Sequence, residues 1–292
     1  ECARHGFHFT LFSFGVPDAR LLAAVKGAEG LVDIWEICDT AASLPAVADA
    51  ASPVAKAAGI SLYLSRVRTR EDQVGAGGKY HHIIVHGFTP DDHDYIARAA
   101  EIGGIEGLVF RIEGGTSPWR AASDATKALQ GTGLKASLHI RMTLGPPGVK
   151  QTDDNWVAER AAEAISAAAA FEDIHVYADT FADVDRGYYR RHGVVDRFCN
   201  PRPAFDVVRH LNGALASGHP FAPDGESQTV SLIGADGRRF DLLKGAEAPS
   251  GMSESQPGVL IDLGTGERVA IENGPGAPRK SGSGLRLWAR DA

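Results

Sequence analysis

Long apolar runs, cysteines and an excess of basic charge are what this sequence lacks, and each absence narrows its role. No stretch approaches the roughly 18 consecutive apolar residues of a membrane helix, so no membrane partner is expected. The three cysteines, Cys2, Cys38 and Cys199, are widely spaced and odd in number. They form no CxxC pair, which leaves no disulfide framework or thiolate metal site to expect. Cys38 falls inside an apolar run and reads as a small core residue. A net charge of −7 argues against nucleic acid, which is bound by basic faces. No GxGxxG loop follows the first apolar strand, which weighs against a doubly wound dinucleotide fold. No motif requires a cofactor or a metal. Localisation is left open, and the composition is compatible with a homo-oligomer.

What is present is a regular alternation. Apolar strands at 7–15, 31–39, 60–68, 81–88, 107–115, 135–143 and 173–179 are each followed by a helical stretch. Several helices carry start signals, such as Thr89-Pro90 and Ser117-Pro118, and Thr152 is the expected cap of the alanine-rich helix behind it. Strands alternating with helices predict a parallel sheet covered by helices, here an α/β fold of the (β/α)8 TIM-barrel type. The alternation is one unit short of eight. ECARHG at 1–6 reads as the tail of a helix, so the first unit is expected upstream of it. After residue 217 the composition changes. SGHPFAPDGESQ reads as a linker, and the short strands beyond it, with Asp-Gly and Gly-Thr-Gly turns, read as a small β-sandwich-like domain. The expected domains are 1–217 and 226–292.

Parity along each strand selects the candidate site. With the apolar side taken as outward, Val109, Arg111 and Glu113 face inward, as do Ser137, His139, Arg141 and Thr143. Ser61, Tyr63 and Ser65 do the same, as do His82 and His86. The last strand is the most polarised: Asp173, His175, Tyr177 and Asp179 share one face, against Ile174, Val176 and Ala178 on the other. Buried charges are costly unless paired, so this density predicts either paired networks or a solvated pocket at the strand ends, where barrel sites lie. Glu36 and Asp39 have opposite parity, and only one of them can point inward. Trp119, beside a helix start, is a candidate sugar-stacking platform. Asp183 and Asp185 follow the last strand in a loop without calcium-loop spacing and read as a hydrogen-bonded rim.

ADTFADVDRGYYRRHGVVDRFCNPRPAFDVVRHLNGAL, at 178–215, resembles the last strand, loop and helix of (β/α)8 glycoside hydrolases. The segments GRRFDLL and IDLGTGE resemble the turns of the β-sandwich that commonly follows, and VDIWEIC is similar to a D-x-WEI strand of the same enzymes. The resemblance implies a carbohydrate ligand and hydrolysis by two carboxyl groups. It does not carry over the usual catalytic pair. Cys38-Asp39-Thr40 stands where Asn-Glu is expected, and Arg141-Met142-Thr143 ends the penultimate strand without a carboxylate.

The leading expectation is therefore a glycoside hydrolase using Glu113 and Asp179 as acid and nucleophile or base. His86, Arg111, Trp119, His139, Arg141, His175, Tyr177, Asp183 and Asp185 would hold the substrate, with arginine suited to an acidic sugar. A metal-dependent sugar isomerase or epimerase, with Glu113, His139, Asp179 and Glu36 as ligands, is the second reading. A non-catalytic glycan-binding or degenerate glycosidase-like protein is the third.

Overall fold

A computed structural model of the chain describes residues 9–39, 43–68, 81–82, 84–85, 90–112, 114–143, 153–185, 190–216, 219–224, 229–245, 257–271 and 284–290. The elements run in the order β1 Phe9–Phe14, α1 Ala19–Lys26, β2 Val32–Asp39, α2 Leu44–Ala57, β3 Ser61–Arg68, β4 His81–His82, β5 Ile84–Val85, α3 Pro90–Ala100, β6 Gly107–Ile112, α4 Pro118–Leu129, β7 Lys135–Ile140, α5 Asp154–Ala170 and β8 Ile174–Ala178. There follow β9 Val184–Asp185, β10 Arg190–Arg191, α6 Pro203–Leu215, β11 Phe221–Pro223, β12 Ser231–Gly234, β13 Arg239–Lys244, β14 Gly258–Asp262, β15 Arg268–Ile271 and β16 Leu285–Arg290. Six strands pair in the order β1-β2-β3-β6-β7-β8, with β1 to β3 and β3 to β6 parallel. None of the described helices is long and apolar enough to cross a membrane.

The segment 81–88 was expected as a fourth barrel strand; its described residues form two short strands of the same sheet, β4 pairing with β3 and β5 with β6. β3 pairs directly with β6, Tyr63 beside Gly107 and Leu64 beside Leu108, and the Glu106 amide donates to the Leu62 carbonyl at 2.9 Å. The direct pairing of β3 with β6 covers those two residue pairs. His81 and His82 instead turn back antiparallel on Arg68 and Val67. An apolar run with period-two alternation satisfies a hairpin arm as well as a barrel strand, so its sequence could not distinguish the two.

The chain divides into two compact units, Glu1–Arg111 with Asp124–Leu138, and Ile112–Ser123 with His139–Ala292. In the first, Trp35, Ile37, Leu62 and Leu64 are buried on one side of β2 and β3. α2 packs there through Val47, Ala48, Ala51 and Ala55, all with essentially no exposure. Alanine on the helix and branched chains on the strands permit this close approach, and each fully buried Leu or Ile contributes about 1.5–3 kcal/mol. On the opposite side Ile34, Tyr63 and Val109 form an apolar floor. The Tyr63 ring lies across Gly107, where an added Cβ would stand 2.3 Å from Tyr63 Cε1 and 2.7 Å from the Lys135 carbonyl oxygen.

In the second unit, α5 packs against β8 and α6. The cap of α5 is Asp153, whose side chain accepts from the Asn155 amide at 2.9 Å, and not Thr152, which lies outside the described residues. In the region read as a small β-sandwich-like domain, the described strands make a six-stranded antiparallel sheet, β11-β12-β13-β16-β14-β15. β11 lies within the stretch read as a linker, pairing Phe221 to Pro223 with Gly234 to Leu232. Phe221 is anchored edge-on to Phe240 at 5.5 Å. A three-residue strand containing proline is an edge strand, which carries no alternation long enough to read.

Gly107→Ala is expected to lower stability by about 1–3 kcal/mol in urea or thermal unfolding, because the tyrosine ring and a strand carbonyl must both move. Adding Tyr63→Leu should return part of the loss; a neutral Gly107→Ala would contradict the inner-face packing.

Candidate functional site

The inner side of the first unit resolves the parity question of β2. Register sets Glu36 beside Tyr63 and Cys38 beside Ser65. Glu36 therefore points inward, and Asp39 has the opposite parity. Glu36 is 1% exposed, and its Oε1 accepts from Ser65 Oγ at 2.7 Å and from Arg111 Nη2 at 2.9 Å. Arg111 is a quarter exposed and also lies over the Phe12 ring at 5.7 Å. Burial pushes the Glu36 carboxyl above its usual range, and the Arg111 charge and the Ser65 hydroxyl pull it back in part. Burial likewise raises the Cys38 thiol, which describes an unreactive core cysteine. Of the residues expected to bind substrate, the first unit thus holds Arg111, paired to Glu36, which the sequence offered only as a ligand in the metal-dependent reading. The signal for Glu36 was legible: an acid in the middle of the apolar run Ile34-Trp35-Glu36-Ile37-Cys38.

The second unit holds the polarised strand. Ile174 is buried, while His175, Tyr177 and Asp179 are exposed, so the acid–imidazole–phenol face is wet and not a desolvated layer. The Asp179 amide donates to the Ile140 carbonyl at 3.0 Å, which ends the pairing of β7 and β8. Its Oδ1 accepts from the Met142 amide at 3.0 Å and from Thr180 Oγ1 at 3.2 Å. The His139 ring stands edge-on to Tyr177 at 5.3 Å. β7 and β8 thus bring His139, Tyr177 and Asp179 to one strand end. Arg141 follows β7 at the same end. Glu113 and His86 lie outside the described residues.

Trp119 is corrected. It is 5% exposed and packs edge-on to Phe171 at 5.0 Å, so it fills the core beneath α4 and offers no stacking surface. Exposed aromatic side chains on and after β8 are Tyr177, Phe181 and Phe198, at 37%, 68% and 70%. Asp183 holds the loop together: its Oδ1 accepts from the Gly193 amide at 2.8 Å, and its Oδ2 from Arg202 Nη2 at 2.5 Å. Arg202 Nη1 donates in turn to Asp154 Oδ1 at 3.0 Å, linking the start of α6 to the first turn of α5. Asp185 lies on β9 opposite Arg190. Among the described residues no three His, Cys, Asp or Glu side chains converge as metal ligands would.

Two residues escaped the sequence reading because they sit in an alanine-rich helix. Arg160 of α5 is 4% exposed. It donates to the carbonyls of Arg141 at 2.6 Å, Thr116 at 2.5 Å, and Ile112 and Gly114 at 3.3 Å each. Glu163, one turn on, is buried and accepts from Ser117 Oγ and Lys244 Nζ. Charges at i and i+3 among alanines look like a solvated stripe unless the burial of that stripe is known.

No family model and no curated protein sequence matches the chain. Solved structures do match it in fold. A glucosidase from Croceicoccus marinus aligns over 100% of this chain and 80% of its own, with a TM-score of 0.59 and 14% identity. A GH39 β-xylosidase from Caulobacter crescentus aligns over 94% of this chain and 70% of its own, with a TM-score of 0.52 and 8% identity. A family 39 glycoside hydrolase from the gut symbiont Bacteroides cellulosilyticus WH2 gives 0.51 at 12% identity over 93% of this chain, which spans 60% of that protein. The fold of the chain is similar to that of these glycoside hydrolases.

A carboxyl group whose folded pKa lies above its unfolded value binds more protons when folded, so it costs stability as pH rises from the unfolded value toward the raised one. Glu36→Gln is therefore expected to gain on the wild type, in thermal midpoint, as pH is raised from about 4.5 to 7. A difference that is flat with pH, or that favours the wild type increasingly, would contradict the raised carboxyl.

Proposed function

We propose that the chain is a glycan-processing hydrolase whose chemistry runs at the C-terminal ends of β7 and β8. The observation that carries this reading is the Asp179 carboxylate. It stands exposed at the end of a parallel strand, where barrel sites lie, with one oxygen fixed by the Met142 amide and the Thr180 hydroxyl. Fixing one oxygen sets the direction of the other, which is what an attacking or proton-accepting carboxylate needs. The fold likeness to glycoside hydrolases supports the same class.

In this reading Asp179 is the nucleophile or base, and Glu113, on the loop after β6, is the acid that protonates the departing oxygen. His139 and Tyr177 hold ring hydroxyls, their edge-on contact restricting both rotamers. His175 and Arg141 extend that surface, Arg141 toward an acidic substituent. Arg160 acts on this set indirectly: by bonding the carbonyls of Ile112, Gly114, Thr116 and Arg141, it fixes the backbone on both sides of Glu113 and beside Asp179's amide donor.

Release of nitrophenol from a panel of aryl glycosides tests the reading. At least one glycoside should be hydrolysed, and Asp179→Asn and Glu113→Gln should each lower kcat/KM by about 10²–10⁴-fold with the thermal midpoint unchanged. Hydrolysis that survives Asp179→Asn, or no turnover of any glycoside, would count against it.

A further inference from the structure

The C-terminal sheet carries a hollow that the strand-end reading does not use. It has a volume of about 240 Å³ and lies between α6 and one end of β13, β14 and β16. Its floor is apolar, made by Phe240, Val259 and Ile261, and three guanidinium-bearing residues line it: Arg238, Arg268 and Arg290. That concentration is notable in a chain of net charge −7. Two of the three are held in place by carboxylates. Arg238 Nε donates to Asp236 Oδ2 at 2.7 Å while its guanidinium lies 5.9 Å from the Phe240 ring centre. Arg290 Nη2 pairs with Asp241 Oδ2 at 3.0 Å. Arg268, exposed on β15, forms no ion pair with any described residue. The hollow therefore has one positive charge in excess, on the residue that is not held.

We propose that this hollow binds a small carboxylate carried on a compact ring, with a uronic acid as the fitting sugar. The guanidinium fork matches the two oxygens of a carboxylate, and Arg268 supplies the uncompensated charge. The floor selects the rest of the ligand. An inorganic anion would satisfy the arginines and leave Val259, 37% exposed, facing water beside the buried Phe240 and Ile261, whereas the C–H face of a ring covers it. Volume sets the size: drug-sized ligands occupy pockets from about 300 Å³ upward, so this one suits a single ring. The proposal does not depend on the strand-end site, which draws on none of these residues.

Ligand-observed NMR titration of the full chain with D-glucuronate, benzoate, glucose and inorganic phosphate tests it. Glucuronate should bind saturably, and glucose and phosphate should not. Arg268→Gln, a change at an exposed side chain, should weaken glucuronate about fivefold. Ala214→Trp, which fills the hollow from α6, should abolish binding, and Asp179→Asn should leave it unchanged. Benzoate binding in place of glucuronate would keep the ring-borne carboxylate and exclude the sugar as its source. Binding of phosphate as tight as that of glucuronate, no saturable binding of either ring acid, indifference to Arg268→Gln, or loss in Asp179→Asn would each overturn the proposal.

Discussion

The strand ends at which chemistry is proposed depend on one buried cation. Taking a guanidinium out of water costs several kcal/mol, and the cost is met only when its donors are all well placed. Arg160 meets this condition through four backbone carbonyls and the Trp156 ring, over which its guanidinium lies at 5.3 Å. Those carbonyls belong to the end of β6, the turn after it and the residue after β7. Strand ends otherwise leave carbonyls unpaired, and a helix side chain that collects them makes the backbone there as firm as the sheet. The Ile112 carbonyl illustrates the economy, accepting from the Arg141 amide at 2.9 Å as well as from Arg160. Glu163, next along the same face of α5, extends the frame to Ser117 and to Lys244 of the antiparallel sheet.

The other charged inner layer works on a different principle. Glu36, Ser65 and Arg111 sit above the apolar floor of Ile34, Tyr63 and Val109, and the carboxylate is fully buried while the arginine reaches outward. A Glu–Arg pair of this kind fixes register, since a one-residue slip of β2 would turn Glu36 into the helix-packed side among Trp35 and Ile37. Where Arg160 stiffens a strand end, Glu36 specifies how two strands are matched.

How far the sequence foretold this depends on which residues carried the information. Period-two alternation gave β1, β2, β3, β6, β7 and β8 with nearly correct bounds, because each has one side against helices. At 81–88 it gave one strand where the described residues form two short ones, β4 antiparallel on β3 and β5 on β6. The polarised face of β8 was legible, since His175, Tyr177 and Asp179 cannot all be tolerated in a dry layer, and they are exposed. Trp119 was not, because an aromatic at a helix start looks alike whether it meets Phe171 or solvent. Arg160 and Glu163 were hidden for a related reason: a charge among alanines declares itself buried only when the packing of α5 is known. The antiparallel sheet was legible from its Asp-Gly and Gly-Thr-Gly turns, where Gly237 and Gly266 take φ of +84° and +78°.

The central claim is that Asp179 marks a carbohydrate site. Crystals of the chain soaked with a mixture of mono- and disaccharides test it most directly. A sugar is expected with a hydroxyl or its anomeric centre within hydrogen-bond reach of the Asp179 carboxylate and in contact with His139 or Tyr177. Saturating sugar bound only elsewhere on the molecule, with the end of β8 in contact with water alone, would contradict it.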